Sequence, residues 1–201
     1  MSSREEPVPH AKLSNRRRML GLMIYAINFP LVLWKLSQLY SNWQQGITLS
    51  STDQLLDLIL LASVLGIVVV LPNWTPVFTS KYWLTGEGVK ITRLLRKGLT
   101  IPYKAIARAE IYIKNKKTGE VSKEAIKYAK DSANTLRRSG FKFQDYTNDD
   151  DAIILLIGES KVFLLSPSYP KAFAQKLRKR VGQLPIKVVE LTSKGKRERS
   201  M

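Results

Sequence analysis

The residue types that most often carry chemistry are scarce in this sequence. Cys is absent, and His10 is the single histidine. That removes disulfides, thiol nucleophiles and cysteine-ligated zinc or iron–sulfur centres. It also disfavours a transition-metal site and a Ser-His-Asp triad. Carboxylates and cations remain. Asn148-Asp149-Asp150-Asp151 has the charge to hold Ca²⁺ or Mg²⁺ but lacks the spacing of an EF-hand loop, and a solvated loop before a strand explains it as well. Glu87 and Glu110 are further carboxylates in the strand region. Alternation puts Glu110 on an exposed face, and nothing fixes a distance between the two, so no acid–base pair follows. Gly86-Glu87-Gly88 is too short to cradle a phosphate, and no Walker or dinucleotide motif is present. The chain reads as a non-enzyme, with no metal and no cofactor.

The cations are abundant. Lys and Arg number 33 against 16 Asp and Glu, a formal balance of +17 over 201 residues. Such a charge suits a polyanionic partner. Arg93, Arg96, Lys97 and Lys104 are the candidates for anionic lipid headgroups or an acidic partner, each cation near a membrane surface contributing about 1 kcal/mol. Simple solvation of a basic cytoplasmic face is the plainer reading of the same residues. Lys176, Arg178, Lys179, Arg180 and the basic residues after them do not amount to a nucleic-acid motif, and Phe173 and Val181 are better used as core, so nucleic acid is disfavoured.

The elements that must position these residues divide by hydropathy. Met19 to Trp43 carries one formal charge, Lys35, and Gln54 to Pro72 carries one, Asp57. Both reach the roughly 20 residues a bilayer span needs if their polar ends sit at the interface. Lys35 is placed to snorkel outward. Pro30 is placed to kink the first helix, and Asn28 needs a partner, for which the second helix is available; both are read as helix-packing residues within the membrane. Trp34, Tyr40, Trp43 and Trp74 lie near the ends, as interfacial aromatics do. A short link, Gln44 to Asp53, makes the helices antiparallel. Basic residues precede the first segment (Arg4, Lys12, Arg16, Arg17, Arg18) and follow the second, while the link has none. The positive-inside rule then places both termini in the cytoplasm.

After the hairpin, 27 basic and 12 acidic residues leave a balance near +15. Tyr82–Thr85, Val89–Thr92, Leu99–Tyr103 and Arg108–Lys114 read as strands, with turns at Gly86-Glu87-Gly88 and Arg96-Lys97-Gly98. Ala152–Ile157 and Lys161–Leu165 flank a hairpin loop at Gly158-Glu159-Ser160. A closing helix starts near Pro170 and stops at Gly182, with Ala172, Phe173, Leu177 and Val181 as its apolar stripe. Glu120 to Arg138 reads as a polar surface helix, and Lys194 onward as a disordered basic tail.

YWLTGEGVKITRLLRKGLTIPYKAIARAEIYI resembles the opening of bacterial pleckstrin-homology-like domains: strand, Gly turn, strand, basic turn, then a step into the next strand. AIILLIGESKVFLLSPSYPKAFAQKLRKRV resembles their ending, a hairpin running into a Ser-Pro-initiated helix. The resemblance covers roughly Lys81 to Gly182, broken by the inserted helix. It implies a small antiparallel barrel or sandwich with one helix capping an open end, behind a pair of transmembrane helices. It departs from the phosphoinositide-binding members, whose first turn is a basic loop, because that turn here is short and carries Glu87.

The fold class expected is therefore an α+β membrane protein. A basic arm (1–18) leads to a transmembrane hairpin (19–74), then to a PH-like domain (80–186) with a helical insertion at about 115–150, and a basic tail (187–201). The function expected is a membrane-anchored adaptor or assembly subunit for an integral membrane complex or another membrane subunit. The alternative is a sensor of anionic lipid headgroups. The location expected is a bacterial-type inner or plasma membrane, or a thylakoid.

Overall fold

The computed structural model describes residues 5–46, 52–74, 77–94, 96–114, 131–132, 134–149, 152–192 and 195–201. The chain forms two compact units, Asn15–Phe78 and Met1–Ser14 with Thr79–Met201.

The first unit is a pair of helices, α1 (Asn15–Gln44) and α2 (Thr52–Trp74). Tyr25 Oη donates to Val68 O at 3.2 Å, and Lys35 meets Asp57 at 2.6 Å, so the two helices run antiparallel. Val32, Leu61 and Val64 form the buried seam, with Leu31 and Leu39 against it. Most other large apolar side chains of the pair are exposed, among them Met19, Phe29, Leu33, Leu56 and Val70. The helix α1 is long and apolar enough to cross a bilayer. The described apolar stretch of α2, Leu55–Val70, is shorter than a span.

Asn28 Nδ2 donates to Ile24 O at 2.7 Å, one turn back in its own helix, so among the described residues its side-chain partner lies in α1. Pro30 lies inside α1 with an exposed side chain, and the helix continues on both sides of it. Lys35 points at Asp57 and lies 4.6 Å from the Trp34 ring.

The described residues of the second unit form ten strands in two sheets. The first sheet has the order β1 (Glu6–Val8), β2 (Ser80–Leu84), β3 (Gly88–Arg93), β4 (Arg96–Pro102), all antiparallel. The second has the order β10 (Gly195–Ser200), β9 (Ile186–Thr192), β5 (Arg108–Lys114), β7 (Ala152–Ile157), β8 (Lys161–Leu165), β6 (Lys142–Asp145). Its β5–β9 and β6–β8 pairs are parallel, so the unit is not antiparallel throughout. Among the described residues the sheets do not join into a closed barrel: β4 ends one and β6 and β10 end the other. A third helix, α3 (Pro170–Val181), closes the core.

The core lies between the sheets and under α3. Val89 and Ile91 from β3, Ile111 from β5, Ile154 and Leu156 from β7, and Phe173 and Leu177 from α3 meet there. The stripe of α3 uses Ala174 rather than Ala172, which is exposed. The run Ile153–Ile157 is apolar at every position because β7 is buried there on both faces. Its other face, Ile153, Leu155 and Ile157, packs with Tyr112, Val162 and Val189, and is covered by Leu136, Phe141 and Phe143. The described helical residues 131–132 and 134–138 thus supply Leu136 to a second core rather than forming a wholly solvated helix; residues 115–130 lie outside the described residues.

Both ends of the chain belong to this unit. Val8 of β1 is core, and the expected basic tail is a hairpin in which β9 lies against β5 with Val188 and Val189 buried. Lys194 lies outside the described residues.

Candidate functional site

Asn148 is fully buried and holds the places where the chain leaves for α1 and returns from α2. Its Oδ1 accepts from Ser80 N at 2.7 Å, and its Nδ2 donates to Ser80 O at 2.9 Å and to Ala11 O at 3.1 Å. Its backbone O accepts from Ser14 N at 3.0 Å, and its backbone N donates to Ser166 Oγ at 2.6 Å. Buried backbone groups must be paired, and one amide side chain here pairs three of them. Asn148 is therefore structural, and Asp149 N also donates to Ser166 Oγ. Asp150 and Asp151 lie outside the described residues. Among the described residues no group of three or more potential ligands is placed to hold a metal ion.

Arg93 sits beside this clamp. It ends β3 on the inward face that also carries Val89 and Ile91, and it is only 5% exposed. Its Nε donates to Ser80 Oγ at 2.9 Å and its Nη2 to Asp145 O at 3.1 Å. Burial pushes its pKa down from the ordinary value, opposed by the nearby Asp145. Arg93 is thus committed to the fold rather than free to meet a headgroup.

Arg96 lies across from it in the β3–β4 register and stacks on Tyr146, 4.5 Å from the ring centroid, with Arg93 at 5.2 Å. Lys97 is exposed. The turn between the strands is at Leu94, and Arg96-Lys97-Gly98 opens β4 instead of forming the turn. Lys104 does not join this group. It lies in the 3-10 turn Tyr103–Ala105 beyond the far end of β4, about 20 Å or more along the strand. Of the four expected cations, Arg93 and Arg96 meet at Tyr146, Lys97 follows on the exposed side, and Lys104 is separate.

Lys104 borders a different feature. A groove of about 510 Å³ runs along β4 between the two sheets, with Leu99, Ile101 and Phe163 in its lining and Lys104, Glu159 and Lys161 around it. Among the described residues β4 pairs in its sheet with β3 alone, so its other edge takes no described strand. A larger hollow of about 730 Å³ lies by β5 and the C-terminal hairpin. Four of its charges pair with one another, Lys187 with Glu198 at 2.9 Å and Arg108 with Glu110 at 3.4 Å, and Arg199 also lines it.

Glu110 is buried rather than exposed. It accepts from Tyr112 Oη at 2.8 Å and Ser132 Oγ at 3.3 Å. Burial, with Glu110 as a further charge, pushes the Tyr112 hydroxyl pKa well up, so that group stays protonated. Glu87 is exposed in the turn before β3. At the same end, Arg180 of α3 donates to Thr85 O at 2.9 Å and to Glu6 at 2.8 Å, and Lys176 reaches Glu6 at 2.6 Å. Lys176 and Arg180 hold the Glu6 carboxyl below its ordinary pKa.

No protein family, curated protein or solved structure matches this chain.

Proposed function

We propose that this protein is a membrane-anchored, non-enzymatic adaptor whose β-rich unit, of PH-like type, presents the open edge of β4 to an extended segment of a protein partner. The hydrophobic pair α1 and α2 is read as a two-span hairpin, with the polar ends of α2 completing the second span. Its exposed apolar side chains support immersion in lipid. The flanking basic residues support cytoplasmic termini.

The observation that carries the adaptor reading is the groove along β4. An open strand edge offers unpaired N–H and C=O groups to an added strand, and the apolar lining beside it gives alternate side chains a place to go. Lys104 and Lys161 outnumber Glu159 around it, which favours a partner segment with acidic residues.

The test is capture of the full chain from its native membranes in mild detergent, with mass spectrometry of stoichiometric partners. The same capture with Lys104→Glu plus Lys161→Glu should lose the partner while the fold survives. A partner retained unchanged by that variant would remove β4 from the interface. A protein recovered only with itself would count against the adaptor reading.

A further inference from the structure

The clamp at Asn148 marks one end of the β-rich unit, and that end is built differently from the rest of its surface. Among the described residues of this unit, Leu94 and Tyr169 are the large hydrophobic side chains left exposed, at 64% and 69%. Leu94 follows Arg93, which bonds to Ser80. Tyr169 follows three residues after Ser166, which bonds to Asn148. Both apolar side chains thus flank the clamp. Arg96 and Lys97 begin the strand after Leu94, and exposed Lys81 follows Ser80. Two carboxylates are close. Asp145 accepts from Thr147 N and Oγ1, and Asp149 is beside Asn148. The cations, with Arg93, remain in excess.

Covalent reach holds this end near the bilayer on the anchoring reading above, on which this inference rests. Ser14, bonded to Asn148, precedes the first residue of α1, and Ser80 follows the last residue of α2 by six residues, about 20 Å at full extension.

We propose that this end is a membrane-docking face: Leu94 and Tyr169 enter the headgroup layer of the cytoplasmic leaflet, and Arg96 and Lys97 meet the phosphates of anionic lipids. An aliphatic tip beside cations is the chemistry of an interfacial contact, and a Tyr ring suits the boundary because one end is apolar and the other wet. The contact would hold the β-rich unit in one orientation and leave the groove along β4, whose lining continues to the opposite end of that strand, open to its partner.

The absence of Cys makes the test direct. The full chain with Leu94→Cys, Tyr169→Cys or Ser160→Cys is labelled with an environment-sensitive fluorophore. It is reconstituted into phosphatidylcholine vesicles with and without phosphatidylglycerol, and quenched by nitroxide-bearing lipid. The expected result is lipid quenching at positions 94 and 169, stronger with phosphatidylglycerol, and little at 160. Arg96→Gln plus Lys97→Gln should lower the docked-to-undocked ratio about fivefold per charge removed. A chain that floats with the vesicles while positions 94 and 169 stay wet overturns the docking face and leaves the anchor intact. Quenching indifferent to lipid charge overturns the anionic-lipid contact. A chain that does not float with the vesicles overturns the anchor and the docking face together.

Discussion

The side-chain amide of Asn148 closes on the backbone of Ser80 from both sides, accepting from its N–H at 2.7 Å and donating to its C=O at 2.9 Å. This pairing satisfies both polar groups of the residue at which the chain begins its first sheet strand after α2. With Ala11 O and Ser14 N held by the same residue, it ties the outgoing and returning chain to one point of the β-rich unit.

Asn148→Ala should therefore destabilise the β-rich unit by about 3 kcal/mol, because it leaves buried backbone groups without partners. Denaturant unfolding of the full chain in detergent, followed by amide hydrogen exchange of β2 and β3, checks this. An unchanged midpoint would mean that water replaces the amide without cost.

Arg93 and Lys97 should part company under mutation. Arg93→Ala removes the partners of Ser80 Oγ and Asp145 O from a buried position and should cost about 2–4 kcal/mol. Lys97→Ala, at an exposed position, should stay within about 0.5 kcal/mol of the parent. Thermal melts of the two variants side by side decide it.

Acid should loosen the strap made by β1. The Glu6 carboxyl has its folded pKa lowered from 4.5 by hydrogen bonds from Lys176 and Arg180, and Glu190 is lowered by Lys171. A lowered folded pKa contributes stability that is present above the unfolded value and lost as pH falls through the folded one. Amide protection of β1 should thus fall as pH drops below 4.5. Glu6→Gln should show weakened protection already at neutral pH and a flatter acid response. Hydrogen exchange at a series of pH values measures both.

Gly88 begins β3 opposite Pro102, and a Cβ there would overlap the backbone of Ile101 and Pro102. Gly88→Ala should cost about 1–3 kcal/mol by forcing β3 and β4 apart. It should also weaken partner capture, since β4 supplies the open edge. Normal stability in this variant would show that the strands separate freely.

The elements most legible in the sequence are those whose pattern answers to one physical cause. Arg108–Lys114, Ala152–Ile157 and Lys161–Leu165 have the expected bounds because alternation or full burial marks them. The strands β6 and β10 escape for the opposite reason: Lys142–Asp145 is a four-residue edge, and Gly195–Ser200 has no apolar residue, so pairing rather than propensity makes each a strand. The alternation Ile186-Lys187-Val188 after Pro185 carried a signal for β9, masked by the basic residues around it. Arg93 was also legible in principle, since Val89, Ile91 and Arg93 share one face at period two. Asn148 was not, because its three backbone partners come from residues 11 and 80, and nothing local announces a contact across that separation.

The measurement that bears most directly on the account is the sidedness of the helical hairpin. Single cysteines at Gln45, in the link, and at Ser160, in the β-rich unit, are introduced into the full chain and treated in intact cells with a membrane-impermeant maleimide. The two-span hairpin predicts that the protein resists alkaline extraction from membranes, that position 45 is labelled from outside, and that position 160 is labelled only after the cells are opened. Labelling of both positions from the same side, or release of the protein by alkali, would contradict the two-span anchor on which the adaptor function rests.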